Sequence, residues 1–393
     1  MRNSHGVLGL VTLLICLSST ADELAVLADL QERLLKTPAS NLLFFSQEER
    51  RVAFKSIDLL YPTRQIRAGP VASEFDHRPT DFSSLSYMLD GYQYSLADFL
   101  RMPYNKGFIV VQNEEVLLER YAIGNDRSTK WILFSVAKSV TSMLIGAAIQ
   151  DGFITSVEEP VSNYLPRLRG TPYENSSIKD VLQMSSGVSW NEDYADTNSD
   201  VAIAGAANGI ELVNYLSKLD RKAEPGEVFN YNTAETNLVG EILRSAIGNN
   251  ASTYLSHKIW QPFGMEEHAS WVTSNVGEGE LGGCCISATL RDYARIGLFA
   301  LAGGVLEDGT RVLPDNWMAD SIAPSKGFEG YGYLWWPHGD GSYSALGIFQ
   351  QQIYVDPMRN LVIAIHSNAP TAVGSEYHRH LRRLIPAIAD YLN

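Results

Sequence analysis

The sequence predicts an α/β fold in which an antiparallel β-sheet is flanked by helices and a helical lobe is inserted. Three observations predict it. Runs of β-rich residues occur around residues 107–121 and again in the last third, and apolar helical segments lie beside them. The stretch between is broken into short helical patterns by Pro, Gly and Asn. A composition of 45% hydrophobic and 19% charged residues is that of a folded globular protein.

The first 21 residues have the pattern of a signal peptide. Arg2 stands in a short polar start, an apolar run extends from Val7 to Leu17, and small residues precede Ala21. This run is shorter than the roughly 20 apolar residues that a spanning helix needs, and no later stretch approaches that length. We therefore expect cleavage after Ala21, a periplasmic or secreted protein, and no stable membrane span. Retention of the segment as an uncleaved anchor is the alternative.

The remaining chain divides into three predicted parts. Residues 22–100 begin with an amphipathic helix, continue with irregular Pro-containing segments, and are expected to wrap the core as an N-terminal extension. Residues 101–155 and 271–393 together predict the α/β domain, and residues 156–270 predict the all-α insertion lobe. Active sites often lie at such seams between lobes.

The elements of the α/β domain follow in order. The stretch "GFIVVQNEEVLLERYA" predicts a hairpin that turns at Asn113-Glu114, and an apolar helix begins after Ser135. Strands are expected in "GYLWW" near Trp335, "SALGIFQQQIYVD" from Ser344 and "NLVIAIHS" from Asn360. The segment "SEYHRHLRRLIPAIADYL" predicts a closing helix that covers one face of the sheet.

Charge and cysteine content exclude several classes. The formal charge of −14 would repel phosphate backbones and anionic lipid surfaces, so we expect no nucleic-acid partner. After cleavage at Ala21 only Cys284 and Cys285 remain, and adjacent cysteines rarely pair because the ring they close is strained. The eight histidines form no tight cluster, and neither CxxC nor HExxH occurs, so no metal site is predicted.

The stretch "LFSVAKSVTSMLIGAAIQDG" places Ser135 three residues before Lys138 at the start of an apolar helix. A serine hydroxyl is a poor nucleophile without a base, and helical residues three apart lie on one face. The free N–H groups at a helix N-terminus favour developing negative charge, and apolar neighbours favour an uncharged lysine. The alternative is a helix cap followed by a solvated lysine. Ser176 and Lys179 match the same spacing, and there we interpret Ser176 as a cap or turn residue.

Two further segments support a reactive serine. Tyr231 follows a Pro-Gly turn and precedes an apolar helix, and a phenol near a lysine can exchange protons with serine and leaving group. Gly347 inside a strand lets a substrate approach the backbone, so the Ile348 N–H could join the Ser135 N–H in an oxyanion hole. The alternatives are a half-buried core tyrosine and a glycine bulge without function.

Taken in order and spacing, these motifs resemble the serine β-lactamase-related hydrolases, above all the class C β-lactamase-like esterases and the 6-aminohexanoate-dimer hydrolases. The resemblance runs from about Phe44 to the C-terminus, and its motifs are Ser135-Val136-Ala137-Lys138, "LQMSSGVSW", Tyr231 after Pro225-Gly226, "GGCCISATLRDYARIG", and Gly347 before "YVDP". "WNEDYADTNSDV" at Trp190 is similar to the aminohexanoate branch in particular. The resemblance implies a β-lactamase/transpeptidase-like fold.

The resemblance also implies the chemistry. Ser135 would attack a carbonyl, Lys138 and Tyr231 would shuttle the proton, and water would release the acyl group without any cofactor. Tyr194 would lie over the substrate cleft, and Trp336 would line it.

Two departures from the family pattern bear on the substrate. Threonine stands where the family's Tyr-x-Asn motif has asparagine, in Tyr231-Asn232-Thr233, and Ala345-Leu346-Gly347 lacks the usual cation and hydroxyl before the glycine. A charged anchor of that kind contributes roughly 1.5–3 kcal/mol to holding a substrate carboxylate. Its loss favours esters or linear amides over β-lactams.

The leading hypothesis is therefore an exported serine hydrolase acting on a small-molecule ester or amide. The alternatives are a β-lactamase or D,D-peptidase, and a non-catalytic penicillin-binding-like sensor. A Ser-His-Asp hydrolase is set aside because no Gly-x-Ser-x-Gly elbow occurs. The sequence leaves the oligomeric state open.

Overall fold

A computed structural model describes residues 22–36 and 41–393 of the chain. The predicted signal peptide, residues 1–21, lies outside the described residues. The strands are β1 (Thr63–Ile66), β2 (Asp76–His77), β3 (Ser86–Leu89), β4 (Tyr92–Ser95), β5 (Asn105–Gln112), β6 (Glu115–Tyr121), β7 (Trp131–Ile132), β8 (Ala269–Val272), β9 (Ile286–Ala288), β10 (Trp336–Pro337), β11 (Tyr343–Leu346), β12 (Gln352–Asp356) and β13 (Leu361–Ser367).

The helices are α1 (22–36), α2 (Gln47–Ala53), α3 (Ile57–Leu60), α4 (Leu96–Leu100), α5 (Val136–Gln150), α6 (Ile178–Leu182), α7 (Asp200–Ala204), α8 (Gly209–Leu216), α9 (Thr233–Ile247), α10 (Ala251–Leu255), α11 (Leu290–Leu301), α12 (Trp317–Ile322) and α13 (Glu376–Tyr391). Short 3-10 turns occur at Leu42–Phe44, Val161–Asn163, Pro166–Leu168, Ile348–Gln350 and Pro357–Arg359, and a π-helical turn at Ser256–Trp260. No helix in the described ranges combines the length and apolar character needed to cross a bilayer.

Among the described residues, the larger sheet has seven strands in the order β10-β11-β12-β13-β5-β6-β2. Neighbours are antiparallel except the short pair β2 and β6. Alternate side chains of central β5 enter different cores: Ile109 and Val111 join the core that contains α5 and α11, whereas Phe108 and Val110 join the core with α13. This alternation is what a sheet covered on both faces requires.

The predicted hairpin is confirmed. Strands β5 and β6 pair antiparallel, and the residues between them, Asn113 and Glu114, have φ angles of 51° and 67°. Positive φ at both central positions is the requirement of a two-residue turn whose twist matches the strands.

The run predicted from Ser344 as one strand is two. Strand β11 ends at Leu346, the 3-10 turn Ile348–Gln350 interrupts pairing, and β12 resumes at Gln352. Phe349 and Gln350 have φ angles of 63° and 72°, outside the range of a strand. This break presents the Ile348 segment at the end of the sheet.

Helix α5, which begins directly after Ser135, lies at the centre of the fold. Nearly all of its side chains are buried, because it packs between the sheet and the helices of the 156–270 region, including α9. Its Gly146 is in close contact with Trp317, where a Cβ would lie 2.7 Å from the indole ring. A smaller sheet in the described chain, in the order β1-β8-β9-β7, ends at the strand that leads into α5.

Candidate active site

Ser135 stands where the chain passes from β7 into α5. The preceding residue, Phe134, has a φ of 44° and is held by edge-on packing against Phe54 and Phe349, with ring centroids 4.9 and 5.4 Å away. Such a backbone persists only where its surroundings over-determine it. Ser135 occupies the N-cap position, yet its hydroxyl makes no capping hydrogen bond. The hydroxyl is therefore not engaged as a helix cap.

Lys138 lies one turn further along α5 and is only 1% exposed, so it is not a solvated first-turn residue. Its Nζ lies 3.3 Å from Ser135 Oγ, 3.1 Å from Thr233 Oγ1 and 2.7 Å from the carbonyl oxygen of Gly283. Burial lowers the pKa of Lys138 to about 8, while the Glu192 carboxylate acts in the opposite direction. The amine is therefore partly uncharged near neutral pH.

Tyr231 completes the group from the segment before α9. Its ring centroid lies 5.3 Å from Lys138 Nζ, and its phenol is close enough to the Ser135 hydroxyl for that group to act on its pKa. Burial, reinforced by Glu192, raises the pKa of Tyr231 above its usual range, while the Ser135 contact lowers it. The phenol therefore stays protonated and can pass a proton on. Its ring stacks on Trp336, with centroids 5.8 Å apart, so Trp336 supports Tyr231.

A carboxylate that sequence reasoning missed, Glu192, lies beside this group. Its Oε2 accepts the Thr233 backbone N–H at 3.0 Å and also the Trp190 indole N–H. Its Oε1 accepts the Tyr194 hydroxyl at 2.7 Å and also the Thr233 hydroxyl. The available signal was an acidic residue between two aromatic residues whose polar groups seek acceptors, in "WNEDY".

The departure at Asn232-Thr233 has a physical explanation. Asn232 caps α9, because its Oδ1 accepts the Glu235 N–H at 3.0 Å. Thr233 is the first residue of that helix, and its hydroxyl oxygen is the one that meets Lys138. The polar contact to the lysine is thus provided by threonine.

Two backbone N–H groups are candidates for an oxyanion hole, as predicted at Ser135 and Ile348. Neither donates to a backbone carbonyl among the described residues, and both residues line one cavity. Gly347, predicted to contact substrate, is outside that lining, and a Cβ there would lie 2.6 Å from the Leu133 carbonyl oxygen. The glycine is needed for close backbone packing that seats the Ile348 segment beside the start of α5.

The cavity next to Ser135 has a volume of about 310 Å³. Its lining is Asn41, Leu42, Leu43, Tyr61, Pro62, Phe134, Ser135, Tyr194, Val201, Ala202, Ile203, Gly205, Ala206, Thr233, Val272, Thr273, Ser274, Leu281, Gly283, Cys284, Cys285 and Ile348. Tyr194 is thus at the cavity, where it was predicted, whereas Trp336 is not in the lining. No Asp, Glu, Lys or Arg belongs to this set of described residues. A cleft of about 720 Å³ beside α11 includes none of the predicted site residues.

The second Ser-x-x-Lys match forms no such pair. Ser176 is fully buried, and the cap of α6 is the next residue, Ser177, rather than Ser176. Lys179 forms an ion pair with Glu158 at 3.0 Å on the surface. Spacing alone therefore does not make the site.

Cys284 and Cys285, the adjacent pair expected only rarely to form a disulfide, have their sulfur atoms in contact. Both residues line the cavity directly after Gly283, whose carbonyl accepts from Lys138.

Comparisons with known proteins show the family to which the chain is related. Residues 107–387 match the beta-lactamase family. The chain is 30% identical over 295 residues to a 6-aminohexanoate-dimer hydrolase of Paenarthrobacter ureafaciens, covering 69% of this chain and 74% of that protein.

Solved structures share the fold. A Bacillus anthracis protein provisionally assigned as a 6-aminohexanoate-dimer hydrolase has a TM-score of 0.78 at 22% identity, covering 91% of this chain and 98% of that one. A family VIII carboxylesterase has a TM-score of 0.56 at 14% identity, covering 73% and 92%. The predicted β-lactamase/transpeptidase-like α/β fold is confirmed. The chain therefore belongs to the beta-lactamase family of serine-type hydrolases.

Proposed function

We propose that this chain is an exported serine hydrolase that cleaves esters or linear amides through an acyl-enzyme on Ser135. The observation that carries the proposal is the buried Lys138 amine, 3.3 Å from the Ser135 hydroxyl oxygen and largely shielded from water. A lysine in this state can accept a proton, which an exposed, charged lysine cannot.

Acylation begins when Ser135 Oγ attacks the substrate carbonyl carbon and its proton passes to Lys138 Nζ, directly or through the Tyr231 hydroxyl. The carbonyl oxygen becomes an oxyanion, which the N–H groups of Ser135 and Ile348 stabilise. The bond from carbon to the alcohol or amine then breaks, and the leaving group takes a proton through Tyr231. The acyl group stays on Ser135.

Deacylation repeats the steps with water. Lys138 and Tyr231 take a proton from the water as its oxygen attacks the acyl carbon, and the bond to Ser135 breaks with return of the proton to Oγ. A carboxylic acid leaves. In each half-reaction Lys138 and Tyr231 first accept a proton and then give one back, so water is the only co-reactant needed.

The cavity supports an uncharged, largely apolar substrate. Its walls carry aliphatic and aromatic side chains, and none of the described lining residues is Asp, Glu, Lys or Arg. A substrate carboxylate would be desolvated there without a partner, which is costly. Ala345-Leu346 supplies neither the cation nor the hydroxyl of the family pattern. We therefore propose neutral esters or linear amides over β-lactams.

A fluorophosphonate probe and a substrate panel test the proposal. We expect the native protein to be labelled and to hydrolyse neutral p-nitrophenyl esters faster than a chromogenic cephalosporin. Ser135→Ala should lose both label and activity. Ser142→Ala is the matched control, because this serine is on the same helix, buried, and its hydroxyl has no partner among the described residues.

Three other results would each support one of the alternative functions. No label on the native protein would support a non-catalytic sensor. A dominant cephalosporin rate would favour a β-lactamase, and release of a terminal D-amino acid from a peptide would favour a D,D-peptidase.

Export is part of the proposal and rests on residues 1–21. Expression of the full chain in a bacterial host, followed by fractionation and mass spectrometry, should find a mature protein that begins at Asp22 outside the cytoplasm. An intact Met1 in the membrane fraction would instead indicate a retained anchor.

A further inference from the structure

We propose that Glu192 is a positioning residue for proton transfer: it holds Thr233 and, through Thr233, the amine of Lys138 beside Ser135. This inference rests on the proposed serine-hydrolase function and adds a residue to it. Glu192 lies in the loop between α6 and α7, distant in sequence from all three.

The Glu192 carboxylate is firmly held. Both of its oxygens accept hydrogen bonds, from the Thr233 N–H and hydroxyl, the Tyr194 hydroxyl and the Trp190 indole N–H. A carboxylate with this many donors is held in one orientation. Because two of the donors belong to Thr233, the first turn of α9 is fixed relative to the loop.

The hydrogen bonds from Lys138 through Thr233 to Glu192 run in one direction. Lys138 Nζ donates to Thr233 Oγ1 at 3.1 Å, and the Thr233 hydroxyl donates its own proton to Glu192 Oε1. A hydroxyl has one proton, so donating it to the carboxylate leaves its lone pairs facing the amine. Thr233 Oγ1 thus accepts a hydrogen bond from Lys138, because its own proton is already donated to Glu192. Substitution of the carboxylate would free that proton to turn elsewhere.

Glu192 also acts on Lys138 electrostatically. Among the described residues, the ionisable side chains that act on the amine are Glu192 and Tyr231, and Tyr194 is linked to it through its hydrogen bond to Glu192. Burial and Glu192 raise the pKa of both phenols, so both are uncharged. Glu192 therefore supplies the negative charge that opposes the effect of burial on Lys138. The Glu192 charge thus limits how far burial lowers the pKa of Lys138.

The experiment compares the dependence of kcat/KM on pH for four proteins with one neutral p-nitrophenyl ester. They are the native protein, Glu192→Gln, Glu192→Asp and a control, Glu159→Gln. Glu159 is matched because it also accepts a backbone N–H (2.9 Å, from Thr155) and a tyrosine hydroxyl (2.6 Å, from Tyr164), away from the site.

We expect Glu192→Gln to lower kcat/KM by roughly 10- to 100-fold, mainly through kcat, because a charge-assisted bond is lost. The midpoint of its alkaline rise should move to lower pH, since the charge that holds protons on Lys138 is gone. Glu192→Asp should lose rate but keep the native midpoint. Glu159→Gln should match the native protein in both.

A merely structural role for Glu192 would lower the rate without moving the midpoint, and that result would overturn the proposal. Thr233→Val provides a second route, because it breaks the chain of contacts and keeps the carboxylate. The double variant with Glu192→Gln should have a kcat/KM little lower than that of the slower single variant. Fully additive losses would mean that Glu192 and Thr233 do not act on Lys138 through the same contacts. Fluorophosphonate labelling in the same preparations separates the two hypotheses. An unlabelled native protein refutes the serine hydrolase, whereas a labelled one with an unmoved midpoint refutes only the role of Glu192.

Discussion

The state of the Lys138 amine makes a quantitative prediction about the pH dependence of hydrolysis. Its burial lowers its pKa to about 8, so the neutral, basic form is about one part in eleven at pH 7 and about ten in eleven at pH 9. If that form starts acylation, kcat/KM should rise about tenfold between pH 7 and pH 9 and then level off. An unburied lysine, with its ordinary pKa, would give about a hundredfold rise over the same interval and no plateau.

The assay is steady-state hydrolysis of a neutral p-nitrophenyl ester, followed at a wavelength where product absorbance does not depend on pH. Ser135→Ala is the blank at each pH, because hydroxide itself cleaves activated esters in alkaline solution. A neutral substrate keeps its own titration out of the profile. The quantity compared is kcat/KM, which reports ionisation in the free enzyme.

Two outcomes would refute the reasoning. A flat profile from pH 7 to pH 9 would mean that Lys138 is not the group whose ionisation limits acylation. A steady rise past pH 10 would mean that the amine keeps its ordinary pKa despite its 1% exposure. A bell-shaped curve with its alkaline limb well above pH 9 is compatible, since the pKa of Tyr231 is raised above its usual range.

Tyr231→Phe keeps the ring that stacks on Trp336 and loses the hydroxyl, so kcat should fall at least about 100-fold at nearly unchanged thermal stability. Gly347→Ala should lower both kcat and Tm, because its Cβ would lie 2.6 Å from the Leu133 carbonyl oxygen; unchanged kinetics would contradict the close packing. Lys138→Met should be inactive and more stable to urea than the native protein by up to about 3 kcal/mol near pH 7, with the gain shrinking as pH rises from 8 to 10.5, because the native amine then no longer has to be buried charged. Lengthening the acyl chain of the ester from acetate to hexanoate should raise kcat/KM by up to about fourfold per buried CH₂, and a terminal carboxylate on the chain should abolish the gain.

The parts that sequence predicts well are those governed by neighbouring residues. The contact between Ser135 and Lys138 follows from helical spacing, and the hairpin at Asn113-Glu114 follows from a turn between two β-rich runs. In both cases a few consecutive residues decide the geometry.

Contacts between distant segments were not predictable in the same way. Glu192 meets Thr233 across 41 residues, and Lys138 meets Gly283 across 145, with no periodic pattern to connect them. The break in the strand after Leu346 depends on the approach of Gly347 to Leu133, which local β-propensity does not register. Such features arise from tertiary packing.

The chemistry and the walls of the cavity come from different parts of the chain. Ser135, Lys138 and Tyr231 lie at the starts of packed helices, whereas much of the wall comes from Asn41–Leu43 and the 201–206 segment. Several of these wall residues, including Ile203 at 61% exposure, are not part of the interior. Exchanging them can reshape selectivity while the proton-transfer group keeps its supports. Related proteins with this fold can therefore acquire new substrates through substitutions in the exposed wall residues, without changes to the residues that carry out the reaction.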